Sequence, residues 1–111
     1  MAMRKHQILG IVTIGILFVI ILKVVISYEH FHIVMRDFEQ VQKGQTSASV
    51  ISILGKPNYH AGSCSADFIP PQNCVKEYVY SHPFAPMIPE YYVVWFSSND
   101  QVLSAEILNS P

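Results

Sequence analysis

The stretch that decides the fold reads Gly44-Gln-Thr-Ser-Ala-Ser-Val-Ile-Ser-Ile-Leu-Gly-Lys-Pro57. Thr46 suits the position before a helix, because its hydroxyl can accept a hydrogen bond from a backbone N–H of the first turn. Gly55 suits the left-handed position after the last turn, and Pro57 prevents the helix from resuming. A helix of about two and a half turns is unstable alone, so it must pack on another element. Its apolar stripe consists of Val50, Ile51 and Leu54.

The composition divides the 111 residues into two unlike parts. Residues 8–26 are apolar except for Thr13 and Lys23. From residue 27 onward the sequence is mixed, and its four bases and eight acids give a formal charge of −4. Such a surface does not attract nucleic acid. The second part has the length of one small domain, which is marginally stable and gains from any crosslink.

Residues 8–26 are predicted to cross a membrane. In a helix they extend about 28 Å, close to the roughly 30 Å thickness of the hydrocarbon core. Arg4 and Lys5 precede them, so the positive-inside rule keeps the N-terminus in the cytoplasm. A cleaved signal peptide and a buried core helix are the alternatives, although the apolar run is long for a signal peptide and no Ala-x-Ala-like site follows it. We therefore divide the chain into a cytoplasmic N-terminus with an anchor, residues 1–27, and a periplasmic domain, residues 28–111.

Two helices and three strands are predicted for the domain. Apolar residues at helical spacing between residues 28 and 42 indicate a first amphipathic helix, compatible with continuation from the span. The proline-rich residues 82–90 and the Gly- and Ser-containing residues 58–73 are predicted as loops, with at most a short strand near Tyr59. The order of elements predicts an α+β fold, with two short helices on one face of a three-stranded antiparallel sheet. The predicted strands are residues 75–81, 91–96 and 101–108.

Residues 38–108 resemble the SmpA/OmlA (BamE-like) family. The resemblance is carried by Gly44-x-Thr46, Val50, Leu54-Gly55-x-Pro57, Tyr78-x-Tyr80, Val94-x-Phe96 and a polar turn with Asp100 before Val102. It implies a two-helix, three-strand fold shared loosely with β-lactamase inhibitor proteins. It also implies a non-enzymatic role, in which the domain binds other proteins and supports outer-membrane protein assembly or envelope integrity. The residues that identify the fold motif are Gly44, Thr46, Leu54, Gly55 and Pro57.

The anchor departs from the family pattern. Typical members are outer-membrane lipoproteins with a lipidated cysteine, whereas this chain has an apolar span in that place. We therefore expect a single-pass protein of the bacterial inner membrane with envelope protein partners. The alternative is a tethered inhibitor or ligand-binding module that acts on a periplasmic enzyme or on peptidoglycan. A third possibility, a subunit whose span is itself the functional part, has little support because no Gly-x-x-x-Gly is present.

Cys64 and Cys74 are predicted to form a disulfide, because the domain is expected outside the cytoplasm. Zinc bound by these cysteines with His60 and His82 is a sharper alternative, but the spacing matches no common zinc site. The remaining alternative is that both cysteines are free thiols.

No catalytic residue, cofactor site or metal site is predicted. The sequence contains no Gly-x-Ser-x-Gly, no His-Glu-x-x-His and no Gly-rich phosphate loop. We therefore expect a protein that is not an enzyme.

The aromatic residues of the strands are more numerous than one sheet face can bury. Strand alternation must direct some of them outward, where they would form a protein-binding surface. A second buried layer, covered by the proline-rich loop, is the alternative interpretation. The candidate residues of this surface are Tyr78, Tyr80, Phe84, Tyr91 and Tyr92.

Overall fold

The computed structural model describes residues 4–109. Its first element is one helix, α1, Lys5–Asp37, which is followed by a single 3-10 turn, Phe38–Gln40. The predicted first amphipathic helix is continuous with the apolar segment, so the structure has one long and one short helix and not two short helices behind an anchor. The helix continues because no glycine, proline or turn residue interrupts the chain after the apolar segment. By length and composition α1 can cross a membrane, and its most apolar part is not buried anywhere in the structure.

The second helix, α2, Ser47–Leu54, has the predicted caps. Thr46 Oγ1 accepts a hydrogen bond from the Ser49 backbone N–H at 3.2 Å. Gly55 has a φ of 81°, and its N–H donates to the Ile51 carbonyl at 2.8 Å. A side chain at Gly55 would also meet the His30 ring, since a Cβ there lies 3.0 Å from Nε2. Glycine is therefore required for conformation and for close approach.

The sheet has four antiparallel strands in the order β1-β2-β3-β4, whereas three were predicted, with at most a short strand near Tyr59. That short strand is present, directly after Tyr59. The additional strand, β1, consists of His-Ala-Gly-Ser and contains no β-branched or large aromatic residue that would reveal it in the sequence. It forms because it pairs with β2 along the edge of the sheet. The strands are β1, His60–Ser63; β2, Lys76–Ser81; β3, Tyr91–Phe96; and β4, Val102–Leu108.

Both faces of the central strands, β2 and β3, are buried, so the domain has two apolar layers. The helix face of β2 and β3 packs against Phe31, Val34, Val50 and Leu54. The outer face is covered by Phe68 and by the two cysteines, all from the segment between β1 and β2. The sheet residues of the helix face are Tyr78, Tyr80, Tyr92, Val94 and Phe96, and those of the outer face are Val79, Tyr91, Val93 and Trp95.

The prediction of an exposed aromatic surface is wrong for its four tyrosines. Tyr78, Tyr80, Tyr91 and Tyr92 are each at most 9% exposed, whereas Phe84 is 39% exposed. Of the four, only Tyr91 faces away from the helices, and the segment 64–74 covers that side. The alternative of a second buried layer is the arrangement observed, with the proline-rich loop contributing only Ala85 to the cover.

Cys64 and Cys74 form the predicted disulfide. Their sulfur atoms are bonded to each other and are not available to a metal, so the zinc alternative with His60 and His82 does not apply. The bridge closes the segment that contains a short 3-10 turn, Ala66–Phe68, and thereby holds Phe68 on the outer face.

The turn between β3 and β4 holds the N-terminal end of α2. Asp100 accepts hydrogen bonds from the Ser47 hydroxyl at 2.9 Å and from the Lys76 ammonium at 2.7 Å. The hydrogen bond from Lys76 contributes most, and together the two contacts hold the pKa of Asp100 below its usual value. A negative charge near a helix N-terminus is favourable, so this contact orients α2 on the sheet.

Candidate functional site

The first candidate site is an open groove of about 640 Å³ between α1 and the β2–β3 loop. We call it the α1 groove. It begins where the apolar part of α1 ends and extends about two helical turns further along the helix. Its lining residues include Tyr28, Glu29, His32, Met35, Arg36 and Glu90.

Aromatic contacts hold the β2–β3 loop against α1 and so create the groove. Phe31 is buried, and its ring lies edge-on to His82 at 5.0 Å and to Tyr92 at 5.6 Å between centroids. The Tyr92 hydroxyl donates to Glu90 Oε1 at 2.9 Å. Burial, which is the larger cause, and the hydrogen bond to the Glu90 carboxyl together raise the pKa of Tyr92 to about 12. These contacts fix the position of Glu90 at the edge of the groove.

The floor of the α1 groove continues a stripe on the apolar helix. Tyr28, His32 and Met35 follow one another at i, i+4 and i+7, and each is exposed. Ile21 and Val25 precede Tyr28 by seven and three residues, so they extend the same spacing toward the N-terminus, and both are exposed. Because residues at this spacing share one helix face, a single exposed stripe runs from the apolar segment into the groove.

The charges of the α1 groove are unequal. Glu29 and Glu90 are its acids and Arg36 is its base. The Arg36 guanidinium is already engaged by the neighbouring Asp37, with two nitrogen–oxygen distances of 2.9 Å. The groove therefore presents an apolar floor with acidic edges.

The second candidate site is a pocket of about 400 Å³ on the outer face of the sheet. We call it the Glu77 pocket. It lies beside the disulfide-closed segment, which contributes three of its six lining residues. Its lining residues are Tyr59, His60, Ser65, Asp67, Phe68 and Glu77.

Glu77 is fully buried, and only one of its two carboxyl oxygens has hydrogen-bond partners. Oε1 accepts from the Trp95 indole N–H at 2.9 Å and from the Ser65 backbone N–H at 3.4 Å. Oε2 accepts no hydrogen bond from residues 4–109. His60 Nε2 is 3.6 Å away from it, but lies closer to the Ser63 carbonyl, at 2.9 Å. A buried acceptor without a donor is costly, so Glu77 has a hydrogen-bonding capacity that its neighbours leave unused.

Aromatic rings form one wall of the Glu77 pocket. Tyr59 and Phe68 are perpendicular, with centroids 6.4 Å apart, and both contact the Tyr91 ring. Asp67 lies at the rim. A carboxyl at the bottom, another at the rim and aromatic rings at the side are the chemistry that favours a cationic group.

Sequence reasoning named His60 and His82 only as ligands of the zinc alternative, and it identified no other residue of the groove or the pocket as functional. Glu77 occupies a strand position that alternation assigns to the outer face, where a glutamate is ordinary if that face is solvated. His32 and Met35 lie on a helix whose partner loop is more than forty positions away in the chain. The fold-motif residues Thr46 and Gly55 have structural roles in capping α2.

Among the residues described, no group of three His, Cys, Asp or Glu side chains is placed to hold a metal ion. No protein-family model matches the chain, and neither a curated protein nor a solved structure matches it. The resemblance to the SmpA/OmlA family therefore rests on the sequence motifs alone.

Proposed function

We propose that the chain is a non-enzymatic, single-pass protein of the bacterial inner membrane with a periplasmic protein-binding module. Its role would be that of a scaffold or accessory factor in cell-envelope or outer-membrane protein assembly. The α1 groove is the observation that carries the binding role. The orientation is supported by Arg4 and Lys5 before the span and by the disulfide, which is typical of oxidising compartments. The assembly role is supported by the family resemblance only.

The partner that fits the α1 groove is a membrane protein whose spanning helix runs alongside α1. The exposed stripe is continuous from Ile21 to Met35, so a neighbouring helix in the membrane can remain in contact as it leaves the bilayer. Its extension would place apolar residues on the groove floor. A lysine or arginine on that extension would face Glu29 and Glu90.

The test is site-specific photo-crosslinking in membranes with a photoreactive amino acid at His32. We expect an adduct that maps to the first extramembrane turns of another protein's spanning helix. Met35→Glu places a charge on the apolar floor and is expected to lower the adduct yield about tenfold, equivalent to about 1.4 kcal/mol of binding free energy. Lys43→Glu, on an exposed residue outside the groove, is the matched control and should leave the yield unchanged.

Two outcomes would contradict this proposal. One is an adduct to a protein without a spanning helix. The other is an equal loss of adduct in Met35→Glu and Lys43→Glu. An adduct to a second copy of this chain would identify self-association as the use of the groove.

The Glu77 pocket favours a second function, that of a tethered module that binds a small ligand. The ligand class is a primary ammonium or a guanidinium, free or at the end of a side chain. Either group supplies the N–H donors and the positive charge that Glu77 Oε2 lacks. The rings of Tyr59 and Phe68 would add cation–π attraction.

Titration of the full-length protein with butylamine and butylguanidine tests the ligand class. Trp95 is the only tryptophan and donates to Glu77, so its fluorescence reports on the pocket. We expect a saturable change with both cations and none with butanol. Glu77→Gln removes the carboxyl charge at nearly constant volume and should abolish the response. Glu106→Gln, on an exposed acid of β4, should retain it. A response to butanol, or an undiminished response in Glu77→Gln, would exclude this function.

A further inference from the structure

The loop between β2 and β3 contains no polar side chain over seven residues. These residues, 83–89, read Pro-Phe-Ala-Pro-Met-Ile-Pro, and we call them the proline loop. Met87 is 83% exposed, Ile88 is 41% exposed and Phe84 is 39% exposed. A contiguous exposed apolar segment of this kind marks a contact with another apolar phase or molecule.

The proline loop lies beside the point where α1 leaves its apolar segment. The Tyr28 ring lies 5.6 Å from the Phe84 ring and 5.5 Å from the His82 ring, edge-on in both cases. Tyr28 follows Ile26, the last residue of the apolar segment, by about 3 Å along the helix axis. Tyrosine at this position is typical of the boundary between hydrocarbon and headgroups. The proline loop is therefore at the level of a bilayer surface whenever α1 spans the bilayer.

The backbone of the proline loop has few free donors. Three of its seven residues are prolines, which carry no N–H. The Phe84 N–H donates to His82 Nδ1 at 3.0 Å, the Ala85 N–H to the His82 carbonyl at 2.9 Å and the Ile88 N–H to the Phe84 carbonyl at 3.1 Å. Among its donors, Met87 N–H alone has no partner within the described part of the chain. Unpaired backbone donors and acceptors both oppose entry into hydrocarbon. Of the loop carbonyls only those of Phe84 and Ile88 accept a backbone N–H within the described residues, so the loop is suited to the hydrated boundary region, where water can pair with the others, and not to the hydrocarbon core.

We propose that the proline loop is a second membrane contact, which inserts Phe84, Met87 and Ile88 into the boundary region of the leaflet that faces the domain. This inference rests on the proposed insertion of α1. The loop carries no lysine or arginine, so its ligand is the apolar region of any lipid and not an anionic headgroup. Together with α1 it attaches the domain at two points. The α1 groove, which lies between these points, is thereby held at a fixed angle just above the bilayer surface.

The native methionines allow the unaltered loop to be probed. The full-length protein would be placed in nanodiscs of zwitterionic lipid and labelled with ¹³C at the methionine methyl groups. Met87 reports on the proline loop, and Met35, seven residues or about 10 Å above Tyr28, reports on the solvated groove. Met87→Leu and Met35→Leu assign the two signals. Phe18→Met adds a methyl group near the middle of the apolar segment, and its signal is identified by comparison with the wild type, whose other methionines are Met1 and Met3.

We expect a nitroxide placed near the headgroup end of the lipid chain to relax Met87 several-fold more than Met35. A water-soluble gadolinium complex should do the reverse. A nitroxide at the end of the lipid chain should act most strongly on the Phe18→Met methyl group. If Phe18→Met responds to lipid and Met87 responds to gadolinium only, the loop inference is wrong, the anchor stands, and the loop is a surface for a protein partner. If Phe18→Met does not respond to lipid, both the anchor and the loop contact are wrong.

Discussion

Full-length protein in which Cys64 and Cys74 are both replaced by alanine is expected to lose about 3 kcal/mol of unfolding free energy. The bridge joins residues separated by 10 positions, and its removal returns conformational entropy to the unfolded chain. For a domain of this size that is a large part of the total stability. The measurement is urea unfolding in detergent micelles followed by Trp95 fluorescence.

The loss of the bridge also has a local consequence. Segment 64–74 covers the outer sheet face, and its Phe68 contacts the Tyr91 ring at 5.5 Å between centroids. Without the bridge this cover is held only by weak contacts, so Trp95 should become more accessible to a soluble quencher even in folded protein.

Two controls separate the bridge from its surroundings. Gln72→Ala changes an exposed residue of the same segment and should leave the unfolding midpoint unchanged. Wild-type protein treated with a reductant should behave like the alanine variant. If reduction has no effect while the variant is destabilised, the cysteine side chains act through packing and the entropic explanation is wrong.

The local chemistry of the sequence was sufficient for α2 and for three strands. Thr46 and Gly55 mark the ends of α2 through contacts within a few residues of the chain. The aromatic and β-branched runs of β2, β3 and β4 indicate strands for the same reason. β1 has no such signal, because His60–Ser63 is a strand only through its pairing with β2. Features that depend on distant pairing are the ones a single sequence hides.

The candidate sites show the same limit. The α1 groove requires residues 28–36 to meet the loop after β2, and nothing local announces that meeting. Glu77 became a candidate only when segment 64–74 was seen to cover the outer sheet face, since an outward glutamate on a solvated face has no special meaning. The disulfide could be predicted from its two cysteines, but its role as the cover of a second apolar layer could not.

Leu54→Ala is expected to lower the free energy of unfolding by about 2 to 5 kcal/mol, the range for a buried leucine that leaves a cavity. Leu54 is fully buried between α1 and the sheet. The end of α2 is also held by two hydrogen bonds. The Leu54 carbonyl pairs with His30 Nε2 at 3.1 Å, and the Gly55 carbonyl accepts from the Tyr80 hydroxyl at 2.7 Å. α2 is too short to persist without the surface on which Leu54 packs. The variant should therefore weaken the packing of α2 and both hydrogen bonds together.

The consequence of Leu54→Ala extends to the α1 groove, because His30 lies on the same helical turn as the groove residues Tyr28 and Glu29. We therefore expect the crosslinking yield from His32 to fall in this variant, although no groove residue is changed. Ser52→Ala, on the exposed side of α2, is the matched control and should shift stability by no more than about 0.5 kcal/mol. A full crosslinking yield in a clearly destabilised Leu54→Ala protein would show that α1 holds the groove without α2. In that case the capped helix would stabilise the fold but take no part in positioning the site.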